Sequence, residues 1–171
     1  MSNDKEDPLN ISRPPVISEL DEFPLEVKIF VSWREMDAFG IVSNIEYFRY
    51  FEDARIAYFW ELGFQDPDLY RKEPNFFPNS KIGPILSSTS SNFKKPLIFP
   101  DILHVGARVN DIKKVRFHME HKIFSEELDS IAAEGESTVV IYNYEKETPV
   151  PIPKRLREKI EEMEGKTFDK T

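Results

Sequence analysis

One amphipathic segment constrains the fold more than any other. From Asn44 to Leu62, Tyr47, Phe51, Ala54, Tyr58 and Leu62 recur at helical steps, and Phe48 and Phe59 widen the same apolar face. Glu46, Arg49, Asp53 and Glu61 fall largely on the other side. Ser43-Asn44-Ile45-Glu46 reads as a capping box with Ser43 as N-cap, and Gly63 suits the C-terminal stop. A helix with so many rings on one face needs a wide apolar surface to lie against, such as a curved sheet.

The rest of the chain supplies that sheet. Leu25, Val27, Ile29, Val31 and Trp33 alternate with Glu26, Lys28, Phe30, Ser32 and Arg34, which predicts a half-buried strand ahead of the helix. Four strand-like segments follow the helix. Ile85 to Lys94 is polar but β-prone; Leu103, Val105, Ala107 and Val109 alternate, as do Val115, Phe117, Met119, His121 and Ile123; Ile131 to Tyr144 is a long strand in which Gly135 reads as a bulge. The breaks near 111–114 and 125–129 are short enough for hairpins, hence antiparallel pairing. Strand, long helix, then four strands without intervening helices is α+β, one helix wrapped by one curved sheet. Its exposed edge strands favour dimerisation by sheet extension.

The ends and one long connection lack this periodicity. Residues 1–23 are polar and acidic with Pro8, Pro14 and Pro15 and read as a flexible arm; 24–152 form the folded domain. In 153–171 a final amphipathic helix starts at Pro153, with Leu156, Ile160 and Met163 on one side. Residues 64–83 carry three prolines and no period, so they read as a long loop of the kind that covers sites. With part of the helix's apolar face, its Phe64, Phe76 and Phe77 are candidates to line an apolar tunnel.

Charge and composition narrow the function. With 23 Lys plus Arg against 31 Asp plus Glu, the net charge of −8 disfavours a binder that neutralises nucleic-acid phosphates. The absence of cysteine removes disulfides, thiolate zinc sites and Cys nucleophiles. No stretch has the apolar length of a membrane span, and the first residues lack the basic start and apolar segment of a signal peptide, so a cytoplasmic protein is expected.

The candidate site is the loop from the first strand to the long helix, Asp37-Ala38-Phe39-Gly40-Ile41-Val42-Ser43-Asn44. A helix start presents unpaired N–H groups and a partial positive charge, which can polarise a carbonyl and hold an oxyanion. An ionised Asp beside that carbonyl can attack it or activate water. The bland alternative is that Asp and Gly merely form a turn and Ser or Asn merely caps a helix.

The run VSWREMDAFGIVSNIEYFRYFEDARIAYFWELG, together with GPILSSTSSNFKKPLIFPD from Gly83, resembles the hotdog-fold acyl-CoA thioesterases of the 4-hydroxybenzoyl-CoA thioesterase family, over roughly residues 25–152. The resemblance implies a hotdog fold of about five strands and hydrolysis of an acyl-CoA to free acid and CoA, with no metal or cofactor. It implies a homodimer or homotetramer. Asp37 matches the catalytic aspartate as nucleophile or general base, Gly40 the glycine that lets the backbone approach the substrate, and Asn44 the helix-start position whose N–H polarises the carbonyl. Tyr47 and Arg55 match helix positions that are structural or line the acyl pocket. Many relatives read Gly-His-Val-Asn-Asn where this chain reads Gly40-Ile41-Val42-Ser43-Asn44, so a loop His is missing, although the founding branch resembles Gly-Ile-Val. That departure keeps open a non-catalytic acyl-CoA-binding module and counts against a hotdog dehydratase.

Other residues are weighed beside these. Lys94-Lys95 and Lys113-Lys114-Arg116, of which Lys94, Lys95, Lys114 and Arg116 are the named candidates, are the basic clusters for the CoA phosphates, or simply solvated hairpin ends. Glu52 and Arg55 are three apart and read as a helical ion pair rather than a second carboxylate site. His104, His118 and His121 lack metal-ligand spacing and read as surface or satisfied partly buried residues. Ser87, Ser88, Ser90 and Ser91 lack a nucleophile elbow.

Overall fold

The computed structural model describes residues 17–64 and 81–169. Strand β1 (Leu25–Phe30) leads through a short 3-10 turn (Trp33–Glu35) to helix α1 (Asn44–Glu61). Strands β2 (Ile82–Phe93), β3 (Ile102–Ile112), β4 (Arg116–Ser125) and β5 (Ser130–Asn143) follow, then a two-residue strand β6 (Thr148–Pro149) and helix α2 (Lys154–Glu164). The sheet runs in the order β1-β3-β4-β5-β2, every pair antiparallel, with β6 paired to the end of β5. The expected α+β order therefore holds, and β1 and β2 are its open edges.

The core lies between α1 and the inner face of the sheet. Tyr47, Phe51, Ala54, Tyr58 and Leu62, the predicted apolar stripe, are all buried against Leu103, Val105, Ala107 and Val109 of β3 and Phe117, Met119 and Ile123 of β4. Leu156 and Ile160 of α2 join the same core, where each removes a full aliphatic side chain from water, worth about 1.5–3 kcal/mol. Glu164 fixes the end of α2: its Oε1 accepts from Tyr58 Oη and Val109 N, both at 2.6 Å.

Several expectations are corrected. The alternation predicting a strand through Trp33 continues in sequence, but pairing stops at Phe30; Ser32 and Glu35 cap each other's backbone and turn the chain, leaving Trp33 exposed. Ser43 is the N-cap of α1 but its side chain caps nothing: the Glu46 amide donates to Ser43 O at 3.0 Å, Ser43 N donates to Glu35 O, and the Glu46 carboxylate bonds Arg49 at 2.9 Å. Gly135 makes no bulge. The register shifts sit near Ser87, Asn110 and Ala132, whereas Gly135 lies opposite both His121 and Ser91 in regular pairing. Within the stretch read as an arm, Ile17, Leu20 and Phe23 are buried against Phe124 on the outer face of the sheet; three apolar residues at three-residue spacing are enough to dock it. The remainder of that arm lies outside the described residues, as do Phe76, Phe77 and most of the loop expected at 64–83. No described helix is long and apolar enough to cross a membrane.

Candidate active site

The loop before α1 is a closed turn. Asp37 N donates to Ile41 O at 2.8 Å and Gly40 N donates to Asp37 O at 3.1 Å, while Met36 and Val42 form an isolated antiparallel bridge. Asp37 Oδ1 accepts from Phe39 N at 2.7 Å and Ile41 N at 3.5 Å, so the carboxylate organises its own loop. Asp37 Oδ2 bonds no described residue, and the side chain is exposed. Gly40 has φ +77°, a conformation that side chains with a β-carbon rarely adopt, and nothing stands within 4 Å of where its Cβ would be.

The other wall comes from the segment after β2. Its position is set by the bulge at Ala132, whose carbonyl accepts from both Lys94 N (2.8 Å) and Lys95 N (3.1 Å). Val42 N then donates to Leu97 O at 2.8 Å, joining the two loops. Tyr47, buried on the first turns of α1, completes the join: its hydroxyl donates to Lys95 O at 3.3 Å and accepts from Leu97 N at 3.1 Å. Burial chiefly raises the Tyr47 hydroxyl above its ordinary pKa, so it stays protonated.

Between these walls lies a cleft of about 340 Å³ lined by Asp37, Ile41, Val42, Asn44, Tyr47, Phe93, Lys94, Lys95 and Pro96. Asp37, Asn44, Tyr47, Lys94 and Lys95, all selected from sequence, thus meet in one place. The amides of Asn44 and Ile45 donate to no described group, and Ser43 leaves them uncapped. An open helix start and a carboxylate with a free oxygen share one cleft, whose floor is apolar. That set can hold an acyl carbonyl, stabilise negative charge on its oxygen and deliver water or the carboxylate to its carbon.

Not every candidate converges. Lys114 and Arg116 lie on the β3–β4 hairpin, outside this cleft; Lys114 O accepts from Ile152 N near α2. Lys94 pairs with Glu134 at 2.8 Å and Lys95 Nζ donates to Ser130 Oγ at 2.8 Å, so both ammonium groups lean toward β5. Arg55 does pair with Glu52, at 3.5 Å, and also donates to Ser137 Oγ at 3.4 Å. His104 is fully buried rather than near the surface, held between Glu26 and Glu126. His118 bonds Thr138. No group of three or more His, Cys, Asp or Glu among the described residues is placed to hold a metal. The sequence reading missed Phe93 and Pro96 as lining residues. The only signal for Phe93 was its isolation as an aromatic residue in an otherwise hydroxyl-rich strand.

A single long helix wrapped by a curled antiparallel sheet, with a carboxylate loop at the helix start, defines the protein as a hotdog-fold thioesterase. The chain belongs to the thioesterase-like superfamily, which matches its residues 31–160. A thioesterase from Thermus thermophilus, solved in complex with coenzyme A and Zn, is 27% identical with a TM-score of 0.70, covering 86% of this chain and 99% of that one. The BH1999 gentisyl-coenzyme A thioesterase is 25% identical with a TM-score of 0.65, covering 80% of this chain and 99% of that one. The chloroplastic acyl-acyl carrier protein thioesterase ATL3 of Arabidopsis thaliana is 26% identical over 143 residues, which are 84% of this chain and 68% of that protein.

Proposed function

We propose that the protein hydrolyses an acyl-CoA thioester to a free acid and CoA, with Asp37 as nucleophile or general base and the start of α1 as the carbonyl-polarising element. The observation carrying this reading is that Asp37 Oδ2 and the Asn44 amide, both without partners among the described residues, line one cleft. As base, Asp37 takes a proton from water, whose oxygen bonds to the carbonyl carbon. The oxyanion faces the Asn44 amide. Collapse then breaks the C–S bond, and the departing thiolate recovers the proton from Asp37. As nucleophile, Asp37 bonds the same carbon, expels the thiolate and forms an anhydride that water hydrolyses.

The apolar floor of Ile41, Val42, Phe93 and Pro96 suits the acyl group, and Lys94 and Lys95, which line the cleft, reach the CoA phosphates by swinging their ammonium groups away from Glu134 and Ser130. Lys114 and Arg116 take no part in the site of one chain. Support for CoA over an acidic carrier protein comes from the net charge of −8 and from the coenzyme A held by the Thermus relative. The open β2 edge supports assembly into a homodimer or homotetramer.

The test is thiol release from short, long and aromatic acyl-CoAs by the wild type and Asp37→Asn. The amide oxygen of Asn keeps the loop bond to Phe39 N, so the variant folds; turnover falls by about 10²–10⁴. Retained turnover puts the catalytic group elsewhere. Binding without turnover in the wild type supports instead the binding module.

A further inference from the structure

The geometry points to Glu35 as a positioning residue that holds the Asp37 loop and the start of α1 in register, a role that rests on the function proposed above. Glu35 fastens three segments at once. Its Oε2 accepts from Ser32 N at 2.7 Å, closing the turn that enters the loop. The same oxygen accepts from Tyr50 Oη at 2.8 Å, tying that turn to the body of α1. Its backbone carbonyl accepts from Ser43 N at 2.8 Å, immediately before the open Asn44 amide.

Asp37 is two residues downstream, and Met36 between them bridges to Val42. A swing of Glu35 therefore moves the carboxylate and the helix start together. Glu35 does not line the cleft, so any effect on turnover passes through the groups that do. Tyr50 is 2% exposed and has no water to turn to, which makes its bond to Glu35 the fixed point of the arrangement.

The experiment measures kcat and KM with an acyl-CoA substrate, plus urea unfolding, for Glu35→Ala, Glu35→Gln, Tyr50→Phe, Asp37→Asn and the Glu35→Ala/Asp37→Asn double variant. Misplacement of a reacting group by about 1 Å costs up to about 100-fold, so Glu35→Ala lowers kcat by about 10- to 100-fold while KM stays within about three-fold. Glu35→Gln, whose amide oxygen still accepts, recovers much of the loss. In the Asp37→Asn background Glu35→Ala costs less than it does in the wild type, because the carboxylate it would misplace is already gone and only the helix start is left to move. Wild-type kcat in Glu35→Ala with an inactive Asp37→Asn overturns the proposal and leaves the function standing. An additive loss in the double variant also overturns it. Full turnover in Asp37→Asn puts the catalytic group elsewhere and overturns this role with it, whereas no turnover in the wild type overturns the function itself. Should Glu35→Ala not fold, Tyr50→Phe decides: a lowered kcat at constant KM supports the role, and an unchanged kcat overturns it.

Discussion

The ring of Phe51 occupies the space that Gly135 leaves open: a β-carbon on that glycine would stand 2.5 Å from Phe51 Cε2 and 2.7 Å from its Cζ. Phe51 is fully buried at the middle of α1, and its ring also stacks on His121, with ring centroids 5.3 Å apart. The missing β-carbon thus admits a ring of α1 directly against the backbone of β5.

Gly135→Ala forces Phe51 off its rotamer or lifts the helix. The expected cost is about 1–3 kcal/mol of stability, the usual range for overpacking a dense core. Equilibrium urea unfolding reads it as a lower midpoint at unchanged slope. A midpoint equal to wild type would mean that the ring relaxes freely, against the packing described.

His121 makes stability depend on pH. Burial, and then the nearby Arg55 charge, lowers its pKa to about 3 from an ordinary value near 6.5. Between those values the unfolded chain takes up a proton that the folded protein refuses. This contribution is therefore fully present above about pH 6.5 and is lost as pH falls, by up to about 1.4 kcal/mol per unit. His121→Gln removes the titrating group. From pH 7 to pH 4 the wild type should lose about 3 kcal/mol of stability relative to the variant. Unfolding curves at both pH values check this, and a constant difference refutes it.

The sequence made α1 and the sheet legible because each buries one face, and burial writes its period into the chain. Asp37 and Asn44 were legible as a site because a short loop keeps them near each other however the rest folds. Less was visible where two local patterns compete. The Ser-x-x-Glu pattern occurs at Ser32–Glu35 and again at Ser43–Glu46, but only the first forms a capping box, since at the second Ser43 N already donates to Glu35 O and Glu46 N to Ser43 O. Gly135 looked like a bulge because its reason is a ring from another element, which no local pattern records. Lys94 and Lys95 reach the cleft through the Ala132 bulge, whereas Lys114 and Arg116 carry the same charge on a distant hairpin. Charge clusters alone do not distinguish these two cases.

Phe93 should set acyl preference. It ends β2 at the cleft floor, edge-on to Tyr47 at 5.0 Å between ring centroids and to Phe48 at 6.3 Å. It is 45% exposed, so its truncation opens the floor without leaving a sealed cavity in the core. Phe93→Ala should therefore keep the fold and lose apolar contact with the acyl group, an effect of about 1–3 kcal/mol, or roughly 10- to 200-fold in kcat/KM for the best wild-type substrate. Acyl groups longer by several carbons should lose less or gain, because the space once filled by the ring becomes available to them. A kcat/KM series over acyl-CoAs of increasing length checks both halves. A uniform fall at every length would mean that Phe93 supports the cleft wall through Tyr47 and Phe48 and does not meet the acyl chain.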